Sequence, residues 1–180
     1  MEVLSRILKA IDGINDFIGR KISLLALVVF GLLLMEIIRR YLFNSPTVWA
    51  NELVQMLFGA YVVLSGGYIL RWGGHVNVDI VYSRFSRKVK ALIDIITSSL
   101  LFLFCGVLLY YGGSLAWDSL VRWEHSESAW NPPLYPIKVM IPAAALLLIL
   151  QGLAKLVRDL MVLFDKEGFE TSEIREKESL

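Results

Sequence analysis

The sequence predicts an all-α integral membrane protein: four transmembrane helices, both termini in the cytoplasm, and an amphipathic helix lying at the interface ahead of the first span. Three observations predict it. Apolar residues make up 56% of the 180 positions, while the charges gather at the two ends and in short clusters between long apolar runs, a membrane pattern and not a soluble one. Three of those runs read as spans of a hydrocarbon core, and a fourth becomes one if the charges near its end are accommodated. Lys and Arg are distributed very unevenly between the segments that join them.

The first element is the amphipathic segment 3–18. Val3, Leu4, Ile7, Leu8, Ile11, Ile14 and Ile18 recur at three- and four-residue spacing, with Arg6, Lys9, Asp12 and Asp16 between them, as in a helix lying along the inner membrane surface. The same face could equally pack on another protein helix. Span one follows over about 20–43. Its uninterrupted apolar run, Ile22 to Met35, is short, and it reaches a full span only if Glu36, Arg39 and Arg40 are accommodated near its outer end. No small-residue cleavage site follows, so an uncleaved first span is expected.

Span two, 53–70, carries Gln55 as its one strongly polar side chain and ends in Arg71, Trp72, Gly73 and Gly74, an interfacial and then helix-ending sequence. Span three, 95–117, contains no charged residue and at ~1.5 Å per residue is about 34 Å long. Span four, about 137–157, is bounded by Lys138 and Lys155, with Pro142 tolerated in an early turn. Residues 1–164 therefore read as a single membrane domain. The tail 165–180 is charged and nearly free of aromatics, and is expected to be disordered in the cytoplasm.

Fourteen of the 18 Lys and Arg fall in the N-terminal segment, the 71–90 connection and the C-terminal segment, against four (Arg39, Arg40, Arg122, Lys138) on the other side. The excess marks the cytoplasm. Tyr41, Trp49, Trp117, Trp123, Trp130 and Tyr135 fall on the opposite side, as an interfacial aromatic belt would. Net charge is +1, which gives no electrostatic reason to expect nucleic acid. The single cysteine, Cys105, lies within an apolar run and supports neither a disulfide framework nor a thiolate metal site.

The chemistry-bearing residues point to no catalysis, cofactor or metal. His75 follows span two on the inner side and His125 lies in the outer loop, so a ~30 Å hydrocarbon core separates them and one chain cannot offer both as axial haem ligands. Glu124, His125 and Glu127 are neighbours in a wet loop, where solvation is the plain expectation. Glu36 is the informative charge, because a carboxylate inside a membrane marks either a pathway or a paired structural site. Arg39 and Arg40 follow at the three- and four-residue spacing that pairs side chains on a helix, and Glu52 at the start of span two is a second available partner. The expected arrangement is an ion cluster of Glu36, Arg39, Arg40 and Glu52 clamping spans one and two. In the outer loop, Trp130, Asn131, Pro132, Pro133, Leu134, Tyr135 and Pro136 read as an extended, stiff segment suited to a defined surface. A plain turn is the competing reading.

With these residues in view, the chain resembles the small, DctQ-type membrane subunit of tripartite ATP-independent periplasmic (TRAP) transporters over roughly 14–159. The resemblance rests on Arg39, Arg40, Tyr41 and Phe43 after span one, on Trp49 and Glu52 entering span two, and on Gly73, Gly74, His75, Val76 and Asp79 after it. The run Ser128 to Lys138, with Pro142 and Gln151, is similar to one branch of that family. The resemblance implies an inner-membrane scaffold beside a separate large permease that holds the substrate and sodium sites, with a periplasmic binding protein delivering an organic-acid-type solute. It also implies an inner-turn motif at Gly74, His75 and Asp79, and partner contact through Trp49, Trp130, Pro132, Pro133, Tyr135 and Lys138. Two alternatives stand beside it: a self-sufficient homodimeric exporter using Glu36 for proton coupling, and the membrane anchor of a redox enzyme.

Overall fold

A computed structural model describes residues 2–73 and 85–164. Among these the chain forms four helices: α1 (Glu2–Tyr41), α2 (Ala50–Arg71), α3 (Arg87–Val121) and α4 (Tyr135–Leu163). All four are long and apolar enough to cross a membrane, and no strand element accompanies them. Gly74, His75 and Asp79, and the tail from residue 165, lie outside the described residues.

Each helix outruns the apolar run that predicted it. The 40 residues of α1 extend ~60 Å at ~1.5 Å each, and the 35 of α3 about 52 Å, both beyond a ~30 Å hydrocarbon core. The segment read as a separate amphipathic helix is the first part of α1, continuous with the span. Nothing in the sequence between residues 18 and 20 stops a helix except Gly19, and a lone glycine is tolerated there. Pro142 lies two turns inside α4, because the helix begins at Tyr135 and takes Pro136 in its first turn. A proline that deep leaves the carbonyl four residues before it, that of Lys138, without its helical donor.

The helices do not close around an interior. α1 packs along α2 and α3 along α4, α2 joins the two pairs by packing on α4, and α1 meets α4 only lightly. Among the described residues there is no comparable seam between α1 and α3. The buried positions are mostly small: Ala50, Ala60, Ala91, Cys105, Ala116, Ala144, Ala145 and Ala154. Large apolar side chains such as Leu27, Phe30, Leu103, Phe104 and Val107 point outward. Lipid tails are as apolar as leucine, so helices associate there by close backbone approach and polar ties, not by hiding large hydrophobes. Gly152 shows this at the α3–α4 seam, where a Cβ would sit 2.9 Å from a Leu101 methyl and 3.3 Å from the Phe102 ring.

Candidate functional site

Polar contacts gather at the two ends of the bundle. At the end where α1 finishes, Glu36 is buried. It accepts from the Arg40 guanidinium at 3.0 Å and, through its other oxygen, from the Thr47 hydroxyl at 2.5 Å and the Thr47 amide at 3.3 Å. The Thr47 oxygen in turn accepts from the Ala50 amide at 3.3 Å, satisfying one of the free N–H groups that open α2. One carboxylate therefore ties the last turn of α1 to the first of α2. Arg39 turns to the connecting loop and donates to the Ser45 carbonyl at 3.3 Å.

The structure divides the four residues expected to form one ion cluster. Glu36 and Arg40 pair, whereas Glu52 accepts from the Ser128 hydroxyl at 2.5 Å and so ties α2 to the loop between α3 and α4. Thr47 fills the second oxygen of Glu36 and Ser45 takes up Arg39, so neither arginine bridges Glu36 to Glu52.

That loop folds back on itself. His125 and Pro133 form an isolated antiparallel bridge, Ser126 donates to the Pro132 carbonyl at 2.9 Å and Leu134 to the Glu124 carbonyl at 2.9 Å. Trp123 and Asn131 turn the chain in left-handed conformations at φ 49° and 53°, uncommon for side chains other than Asn, Asp or Gly. The Pro-rich run is thus one limb of a compact turn rather than a free extended segment. Trp49 and Trp130 pack with ring centroids 6.4 Å apart, and Trp123 meets Tyr135 edge-on at 5.4 Å. Pro132 is buried and Pro133 exposed. Lys138 donates to Glu124 at 2.5 Å, and that contact holds the Glu124 carboxyl below its ordinary range.

The opposite end carries a network that sequence reading did not assemble. Asn15 and Gln151, 2% and 1% exposed, share a hydrogen bond of 2.8 Å from the Asn15 amide to Gln151 Oε1. Gln151 Nε2 donates to Asp12 Oδ1 at 2.9 Å, and Arg158 pairs with the other Asp12 oxygen. Arg71 donates to the Asp12 carbonyl at 2.8 Å and pairs with Asp16, which also accepts from the Trp72 indole at 3.2 Å. Three helices converge on this network, two acids against two guanidiniums. Gly67 makes room for it, since a Cβ there would collide with the Asn15 side-chain oxygen. Lys155 and Asp94, 2.9 Å apart, add an α3–α4 tie near the same end.

Nothing here resembles a reactive centre. Among the described residues no three His, Cys, Asp or Glu side chains gather where they could hold a metal ion. What the arrangement does chemically is fix helix positions at both ends and leave broad apolar surfaces between.

A family model described as "Tripartite ATP-independent periplasmic transporters, DctQ component" matches residues 29–161. The match takes in the Glu36, Glu52 and Glu124 ties and, on α4, Gln151 and Arg158, but not the part of α1 that carries Asp12, Asn15 and Asp16. The sialic acid TRAP transporter permease protein SiaT of Haemophilus influenzae (strain 86-028NP) is 25% identical over 105 residues, which are 58% of this chain and 17% of that protein. The chain thus spans about a sixth of the length of the curated relative it matches.

Proposed function

This chain belongs to the DctQ component family of tripartite ATP-independent periplasmic transporters, and from that premise we propose that it is the small, non-catalytic scaffold subunit of a TRAP-type secondary transporter. It is a multi-pass inner-membrane protein. On this reading both termini face the cytoplasm. The chain holds in place a separate large permease, which imports an organic-acid-type solute, coupled to sodium, after a periplasmic binding protein delivers it.

The observation that carries the reading is the open arrangement of helices, whose polar ties, among the described residues, gather at its ends. A transporter that acts alone needs a polar site near the bilayer midplane flanked by broken helices. Here α1, α2 and α3 run without interruption; the buried Asp12, Asn15 and Gln151 hydrogen-bond between helices, and buried Glu36 ties α1 to the loop that leads into α2. Glu36, the residue an exporter would use for proton coupling, is occupied by Arg40 and Thr47. A supporting subunit needs what the fold supplies: fixed helix tilts and large apolar faces for a second membrane protein and for lipid. The compact loop with Trp130 and Tyr135 sits on the face we assign to the periplasm, where the binding protein arrives.

The decisive experiment tags the chain in its native membrane and identifies what copurifies. A large permease is the expected companion. Sodium-dependent uptake of organic anions into vesicles should then require both membrane chains and the binding protein. Recovery of the chain alone, or with a haem- or flavin-bearing enzyme, overturns the reading.

A further inference from the structure

Between Val3 and Leu24 the basic residues Arg6, Lys9, Arg20 and Lys21 flank the acidic pair Asp12 and Asp16 in sequence. The fold separates these charges. Asp12 and Asp16, the only carboxylates between Val3 and Leu24, turn inward to Arg158 and Arg71. Lys9, Arg20 and Lys21 stay exposed on the outward surface of α1. Beside them lie exposed apolar side chains, including Phe17 at 65% and Ile14 at 49%, and Lys21 places its ammonium 5.9 Å from the Phe17 ring centre. The outward face of this segment is therefore cationic and apolar, with no carboxylate on it.

We propose that this face of α1 binds anionic phospholipid headgroups of the leaflet around it, with Lys9, Arg20 and Lys21 as the headgroup contacts. Depth supports that occupant. Gly19 abuts Tyr68, only three residues before the α2 end at Arg71, so Arg20 and Lys21 lie about one helical turn inside that end. Lys9 lies about 4.5 Å beyond Asp12 on the water side. Long basic side chains bury their stems and carry their charges to the headgroup layer from both directions, and Phe17 and Leu24 continue toward the acyl chains. Val3 and Ile7, also exposed, carry the apolar strip outward, so α1 leans with this side in the boundary layer, as an interfacial amphipathic helix does. A protein surface would have to supply both an acidic stripe and an apolar one in this geometry; an anionic leaflet supplies them everywhere.

The inference does not depend on the transporter reading, and its test uses the purified full-length chain. Thermal unfolding in a neutral detergent is followed while the micelles are titrated with phosphatidylglycerol or, in parallel, phosphatidylcholine. Phosphatidylglycerol should stabilise the chain at far lower mole fraction, and 0.5 M NaCl should suppress the difference. With each basic residue near an anionic surface contributing roughly a fivefold gain in binding, the triple variant K9Q/R20Q/K21Q should lose about two orders of magnitude in apparent affinity. The charge-preserving K9R/R20K/K21R should keep it. Equal response of the wild type to both lipids, a phosphatidylglycerol effect insensitive to salt, or an undiminished effect in the triple glutamine variant overturns the proposal. So does a wild type without lipid preference whose triple variant stops copurifying with a large permease, since the face then belongs to protein. If the glutamine variant does not fold, the wild-type lipid and salt comparison alone decides.

Discussion

Replacing Asp12 with alanine should be among the most damaging single changes at the end of the bundle where α1 begins. Its carboxylate accepts from Gln151 at 2.9 Å and pairs with Arg158, and its side chain is only 11% exposed, against 19% for Arg158 and 16% for Arg71. Removal leaves the Gln151 amide short of an acceptor and Arg158 without its carboxylate. A hydrogen bond to a charged group contributes ~1.5–3 kcal/mol, and breaking a fully buried pair costs about 3–5 kcal/mol. Partial exposure at a membrane edge lets both guanidiniums reach water, which places the loss nearer ~2–4 kcal/mol. For a chain of this size that lowers the unfolding midpoint by about 4–16 °C. Asp12→Asn, which keeps an acceptor for Gln151 but not the charge, should lose about half as much. The assay is thermal unfolding of Asp12→Ala, Arg158→Ala and the double variant in detergent, read as a cycle with an expected coupling of ~1–3 kcal/mol. A midpoint within 1 °C of wild type for Asp12→Ala, or additive losses in the double variant, would refute the assignment of this network as the tie between α1 and α4.

Three further outcomes follow from the same geometry. Gly152→Val pushes a side chain into Leu101 and Phe102 and should cost about 1–3 kcal/mol by overpacking, measured by the same unfolding assay; a neutral result would mean that α3 and α4 are free to separate. Since Lys138 holds the Glu124 carboxyl below its ordinary value, the loop gains order from this pair above the unfolded carboxylate range and loses it as pH falls through the lowered value. Fluorescence of Trp123 and Trp130 should report that loosening on acidification, and Glu124→Gln should show the loosened signal at neutral pH, with identical pH curves for the two proteins counting against the pair. Ser128→Ala removes the donor to Glu52 and should raise proteolytic cleavage in the loop several-fold while leaving the unfolding midpoint within a few degrees, as suits an exposed contact.

How much of this was legible in the sequence depends on distance along the chain. The four helices were, because apolar runs and basic clusters are local. The Glu36–Arg40 pair was, because four residues on a helix bring side chains together. Glu52 was misassigned because its partner, Ser128, lies 76 positions away and a hydroxyl gives no charge signal. The Asp12 network was invisible for the same reason, with Asp12 and Gln151 separated by 139 positions. Its members also misled: Asp12 and Asp16 read as part of the solvated face of an amphipathic helix, when these two acids turn inward and Phe17 and Ile14 turn out. The rule that apolar residues point inward fails when the solvent is lipid. A sequence clue did exist, since Asn15, Gly67 and Gln151 are a small residue and two amides in otherwise apolar or interfacial helix, the materials by which membrane helices adhere.

The placement of the ties bears on what the subunit can resist. α1 is pinned at Asp12 and again at Glu36, 24 residues apart, or ~36 Å along the axis. A helix held at one point can still tilt; one held at both ends of its span can tilt only by breaking a carboxylate's hydrogen bonds. The counterparts lie on α2 or the loop that leads into it, Thr47 at one end, itself bonded to the Ala50 amide, and Arg71 at the other, so α1 and α2 are held together at both ends. α4 joins that body through Gln151 and Arg158, and α3 joins α4 through Lys155 and the close approach at Gly152. Between these points the exposed surfaces are largely apolar, with Leu27, Phe30, Leu103 and Phe104 turned outward. On the proposed reading, rigidity located at the ends is what a stationary support requires, and it gives the Glu36 charge of span one a mechanical role.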